Sequence, residues 1–157
     1  MEKHTLKHIP DKKFIYFPLP VQPESQSYAW SPFHVNMISI IENIAKSIPS
    51  NYLLFVKEHP GQKSKNWRSI EIYEKITALP NVRLLHYNVN NWEMISKSNL
   101  VILINNSSGL EALFYKKPVI VFGDTFYDVT SMVKKVEKIE DLPSLIRDSL
   151  FSFKFLR

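Results

Sequence analysis

The chain has 157 residues, 45% of them hydrophobic and 22% charged, which is one domain's length and an ordinary globular balance. That composition excludes a disordered or low-complexity chain, and the absence of cysteine excludes a disulfide framework, a thiolate zinc site and a cysteine nucleophile. A formal charge of +5 suits anionic ligands or membrane headgroups, but the basic residues are not interleaved with aromatics in any nucleic-acid-binding motif, so no nucleic-acid partner is expected.

Residues 1–13 carry several lysines and no apolar signal-peptide core, and are expected to form a flexible basic leader. Phe14-Ile15-Tyr16-Phe17 is an apolar run closed by Pro18 and Pro20, the pattern of a buried strand. A polar loop follows to Ser31, and Ser31-Pro32 has the form of a helix N-cap with proline at the first helical position. Met37, Ile40, Ile41, Ile44, Ala45 and Ile48 then recur at helical spacing. Tyr52 to Val56 is a second strand, ended by the loop Lys57-Glu58-His59-Pro60-Gly61. A helical pattern over Trp67 to Leu79 stops at Pro80-Asn81. The remaining elements are a strand at Val82–Leu85, a short helix at Trp92–Ser96, a strand at Leu100–Ile104, a helix at Ser107–Tyr115, a strand at Val119–Phe122 and a helix at Leu142–Phe151.

Each clear strand is apolar throughout instead of alternating, as in a parallel sheet covered on both faces. The expectation is a single α/β domain, a Rossmann-like doubly wound parallel sheet of about five to six strands with helices on both faces.

In such a sheet ligands bind beyond the carboxyl ends of the strands. The residues expected there are Gln22-Pro23-Glu24, Lys57-Glu58-His59-Pro60, Asn105-Asn106-Ser107-Ser108-Gly109 and Gly123-Asp124. Asn106-Ser107-Ser108-Gly109 opens a helix, where free N–H groups favour an anion and Gly109 lets a phosphate approach the backbone. Ser108-Gly109-Leu110-Glu111 is equally a capping box, with serine and glutamate satisfying each other's amides; the two readings stay open. His59, held outside regular structure by Pro60, is placed to donate to a phosphate oxygen and to add charge when protonated; alone it reads as a solvent-facing loop histidine. Lys57 and Glu58 read as an exposed pair, and Glu24 as a surface carboxylate. Trp30, Trp67 and Trp92 read as packing residues. His34 and His86 lack partners at metal-ligand spacing, so no metal is expected; there is no dinucleotide fingerprint, no P-loop and no defensible serine triad.

Phe17-Pro18-Leu19 with Gln22-Pro23-Glu24, Val56-Lys57-Glu58-His59-Pro60, Leu79-Pro80-Asn81-Val82, Ser107-Ser108-Gly109-Leu110-Glu111-Ala112-Leu113 and Lys117-Pro118-Val119-Ile120-Val121-Phe122-Gly123 occur in an order that resembles the capsule polysaccharide biosynthesis family, which includes bacterial Kdo transferases using CMP-Kdo. The His-Pro and Ser-Ser pairs also resemble those of bacterial sialyltransferases. The resemblance spans Phe14 to Asp128 and implies the nucleotide-binding, C-terminal half of a GT-B glycosyltransferase. Carried over by motif, His59 and the Ser107-Ser108 pair meet the phosphate of a CMP-sugar, and Glu111 reaches the ribose; with them, Pro60, Asn106 and Gly109 are expected at the phosphate, and Gln22, Glu24, Lys57, Glu58, Gly123 and Asp124 as site lining. The resemblance further implies no cofactor beyond the nucleotide-sugar, a glycan or glycolipid acceptor, a second GT-B half or partner chain that brings the catalytic group, and a cytoplasmic location at the inner face of the membrane. A relative using a UDP-sugar or CDP-glycerol, and a non-catalytic module of the same fold, are the alternatives.

Overall fold

The computed structural model describes residues 5–7, 9, 11–22, 36–65, 67–127 and 130–152. Six strands form one sheet: β1 (Phe14–Pro18), β2 (Leu53–Lys57), β3 (Val82–Leu85), β4 (Leu100–Leu103), β5 (Val119–Val121) and β6 (Val133–Lys135), in the order β3-β2-β1-β4-β5-β6. Every neighbouring pair is parallel, with Phe14 opposite Leu53, Leu54 opposite Val82, Ile15 opposite Leu100 and Val101 opposite Val119.

Parallel strands must be joined by crossovers, and the helices supply both layers. Alternate residues of β1 go to opposite faces: Ile15 and Phe17 join one core, Phe14 and Tyr16 the other. The first face is covered by α1 (Met37–Ser47), α2 (Ile70–Thr77) and α5 (Leu142–Phe151), through Ile41 and Ile44, Tyr73 and Ile76, and Leu142 and Ile146. The second is covered by α3 (Asn91–Lys97) and α4 (Ser108–Phe114), through Met94, Ile95 and Ala112. All five residues of β1 are buried because it is central and covered on both sides. This is the expected doubly wound layer, and its strand order reverses between β1 and β4, the switch point outside whose carboxyl ends ligands bind in such sheets.

Three local expectations are revised. The first helix is capped by Asn36, whose side chain accepts from Ser39 N at 3.2 Å; Ser31-Pro32 lies outside the described residues. The second helix is shorter than the pattern suggests, beginning after Ser69 and leaving Ile70 half exposed. β6 is absent from the sequence reading because Val133-Lys134-Lys135 has one buried apolar residue, and only its pairing to β5 makes it a strand. Within the basic leader, Leu6 adds to the outer edge of β3: its N–H donates to Leu84 O at 2.8 Å and its carbonyl accepts from His86 N at 3.0 Å.

Candidate functional site

All strands are parallel, so the loops after β1, β2, β4 and β5 gather at one edge. β2 and β4 flank β1, which places His59 and Ser107 at that same edge, on either side of β1. The polar residues there divide into three arrangements.

The first lies on the α1/α2 face. Glu58 is fully buried, and its carboxylate accepts four hydrogen bonds: from His59 N at 2.8 Å, Arg68 Nε at 2.9 Å, Arg68 Nη2 at 3.4 Å and Tyr73 Oη at 2.8 Å. Arg68, also buried, donates onward to Gln22 Oε1 at 2.6 Å and Pro20 O at 2.5 Å. Gln22 and Gln62 clasp each other through reciprocal bonds, Gln22 N to Gln62 Oε1 at 2.9 Å and Gln62 Nε2 to Gln22 O at 2.8 Å. Burial, reinforced by the Glu58 charge, pushes the Tyr73 hydroxyl pKa up, so it stays a donor. Glu58 is therefore no member of an exposed pair, and Gln22 braces the loop after β1 through its backbone and its side-chain oxygen. Glu24 lies outside the described residues.

The second arrangement is the His59 loop. Pro60 begins a 3-10 helix, Pro60–Lys65. The His59 ring is exposed, and its Nδ1 accepts from Gly61 N at 3.0 Å. With Nδ1 accepting from Gly61, Nε2 is the ring nitrogen left to donate.

The third arrangement surrounds the start of α4 on the opposite face. Asn106 Oδ1 accepts from Ser108 N at 3.1 Å, and Asn106 Nδ2 reaches Pro18 O at 3.4 Å. The capping box does not form. Glu111 Oε2 instead accepts from Asn91 Nδ2 at 2.7 Å, and Asn91 Oδ1 accepts from the buried Tyr16 hydroxyl at 2.6 Å. Burial and the nearby Glu111 charge raise the Tyr16 pKa, keeping it a donor. Among the described residues the hydroxyls of Ser107 and Ser108 have no partner. Gly109 is also needed for packing: a Cβ there would come within 2.7 Å of the Tyr127 ring, whose hydroxyl donates to Asn106 O at 2.5 Å. Its missing side chain makes room for Tyr127, which locks the turn.

Lys57 belongs to this third arrangement. It follows Val56 in β2 and points to the α3/α4 side, only 4% exposed. Burial pushes its pKa down, opposed by the negative charges of Glu58 and Glu111. Gly123 is buried and continues β5 by donating to Ile104 O at 2.9 Å, while Asp124 pairs at the surface with Lys135. Trp67 and Trp92, expected to be packing residues, are 38% and 52% exposed and lie against Tyr87 and Tyr115; Trp30 is outside the described residues. His86 is buried after β3, its Nδ1 accepting from Asn88 N at 3.2 Å; His34 is not among the described residues.

Arg68, Tyr73, Gln62, Tyr16, Asn91 and Tyr127 hold this edge in shape, and none was singled out from the sequence. Tyr16 and Asn91 left a signal: a tyrosine inside a fully apolar strand needs a partner for its hydroxyl.

A family model for capsule polysaccharide biosynthesis proteins matches residues 1–140. The chain belongs to that family. It is 29% identical over 123 residues to protein FixF of Sinorhizobium fredii, covering 76% of this chain and 29% of FixF. Its fold is similar to that of KpsC from Thermosulfurimonas dismutans, a β-Kdo 2,7-transferase, at TM-score 0.63 and 20% identity over 94% of this chain and 48% of that one. Anabaena HepE in complex with UDP-glucose shares the fold at TM-score 0.57 and 15% identity, over 89% of this chain and 40% of HepE. This capsule-family chain thus spans less than half the length of each of these proteins and has the Rossmann-like form of one GT-B half. No described helix is long and apolar enough to cross a membrane.

Proposed function

We propose that this chain is the donor-binding half of a capsule or surface polysaccharide glycosyltransferase, and that it holds a CMP-activated sugar of the Kdo kind for transfer to a glycan or glycolipid acceptor. The observation that carries this reading is the family match over residues 1–140. The placement of His59 and the Ser107-Ser108 turn at one edge, on either side of β1, supports it. In glycosyl transfer the bond between the anomeric carbon and the phosphate oxygen breaks, and its electron pair leaves with the nucleotide. Donors aimed at that phosphate stabilise the leaving group. His59 Nε2–H and the two serine hydroxyls are the donors assigned to it, and Glu111, held by Asn91, is the acceptor assigned to the ribose hydroxyls. The acceptor substrate and the catalytic base belong to a second half or a partner chain, and the complex works at the inner face of the membrane. A uridine nucleotide is the second reading, favoured because the fold of HepE holds UDP-glucose in that protein.

Calorimetric titration with CMP, UMP, CDP and inorganic phosphate tests the reading. CMP is expected to bind more tightly than phosphate, and His59→Ala to weaken CMP by about 1.5–3 kcal/mol, the range for a hydrogen bond to a charged group. No preference for any nucleotide over phosphate, or unchanged CMP affinity in His59→Ala, contradicts it; a preference for UMP over CMP selects the second reading.

A further inference from the structure

Lys57 ends β2 at the carboxyl edge and is 4% exposed, yet among the described residues its ammonium has no hydrogen-bond or ion-pair partner. The neighbouring charges explain why. Glu58, next in the chain, points to the opposite face and has four bonds of its own to His59, Arg68 and Tyr73. Glu111 lies on the Lys57 side and close enough for its charge to act on the lysine. Its carboxylate is nevertheless drawn to Asn91 at 2.7 Å, and Asn91 is in turn fixed by the buried Tyr16 hydroxyl at 2.6 Å. Among the described residues the fold thus supplies Lys57 with a favourable field but no polar partner. The stem of Lys57 is buried, which lowers the ammonium's pKa, and a largely buried cation whose tip has no protein partner among the described residues, at the edge where ligands bind in this fold, is a group free to meet an anionic ligand.

We propose that Lys57 is a binding residue of this edge, its ammonium contacting an anionic oxygen of the nucleotide's phosphate from the α3/α4 side while the His59 loop approaches from the other side of β2. This assignment rests on the donor-half reading. It divides the recognition of one nucleotide between a cation, Lys57, for the phosphate and an anion, Glu111, for the sugar hydroxyls. The Tyr16–Asn91 pair keeps the two from neutralising each other, so both remain available.

The test compares the wild-type chain with Lys57→Met, which keeps the length of the stem and removes the charge, and with Lys57→Gln. Affinities for CMP, UMP and cytidine are measured beside melting temperature. The expected result is a tenfold or greater loss of CMP affinity in both variants and cytidine binding within twofold of wild type, because cytidine has no phosphate. Melting of the ligand-free Lys57→Met protein is expected at or above the wild-type temperature, since a desolvated charge has been removed. CMP affinity within twofold of wild type overturns the assignment and leaves the donor-half reading intact. Loss of cytidine binding in parallel with CMP, or a lowered melting temperature in both variants, makes Lys57 part of the fold's own charge balance and also overturns it. A wild-type chain that binds neither CMP nor UMP overturns the donor-half reading and this assignment together.

Discussion

Lys57 and Glu58 are consecutive, both are buried, and their charges are held in opposite ways. Glu58 has a full set of donors, and its arginine ties β2 to the loop after β1 through Gln22 and Pro20. Among the described residues Lys57 has none. One is a charge whose partners come with the chain and the other a charge whose partner does not. In a fold with two covered faces, adjacent residues at a strand end meet different neighbours, so burial alone does not tell a structural ion from a functional one. The hydrogen-bond inventory does.

The strongest way to break this contrast is to strip Glu58 of its cation. Arg68→Met leaves a buried carboxylate with only Tyr73 and the His59 amide, and is expected to destabilise the chain by about 3–5 kcal/mol in urea unfolding. A loss below 1 kcal/mol would mean that Glu58 is not held as described. On the Lys57 side, packing replaces ions. Gly109→Ala drives a methyl group into the Tyr127 ring and is expected to cost about 1–3 kcal/mol, measured by thermal melting. If the change is neutral, Gly109 is not there to accommodate Tyr127.

The smallest effect sharpens the contrast through pH. Burial lowers the folded-state pKa of Lys57, so between that value and the ordinary lysine range the unfolded chain binds more protons than the folded one. Raising pH through this window therefore favours folding. Wild-type stability is expected to rise relative to Lys57→Met as pH increases there, with a constant difference below it. A difference that stays flat, or that moves the other way, contradicts an unpaired, desolvated ammonium.

Much of this was legible in the residues. Runs such as Phe14–Phe17 and Leu100–Ile104 are apolar on both faces, and that property alone predicts parallel strands between helix layers. Their order then gathers His59 and Ser107 at one edge. What was not legible depended on tertiary partners. The run ending at Val56 suggested that Lys57 and Glu58 lie in solvent, because nothing local announces Arg68 or Tyr73. The Ser108–Glu111 spacing suits a capping box, but Asn91, far away in sequence, competes for Glu111. That Gly109 also makes room for Tyr127, arriving from beyond β5, was not legible either. Short β6 has too few apolar residues to show as a pattern at all.

The claim at the centre of this account is that a nucleotide binds at the carboxyl edge of the sheet between β2 and β4. Backbone amide shifts of the isotope-labelled chain, followed by nuclear magnetic resonance during titration with CMP, test it directly. The account predicts saturable shifts concentrated at 57–61 and 106–111, with the amino edge of the sheet, at Lys13, Asn81 and Asn99, unmoved. Shifts centred on that amino edge, or none at saturating CMP and UMP, would contradict it.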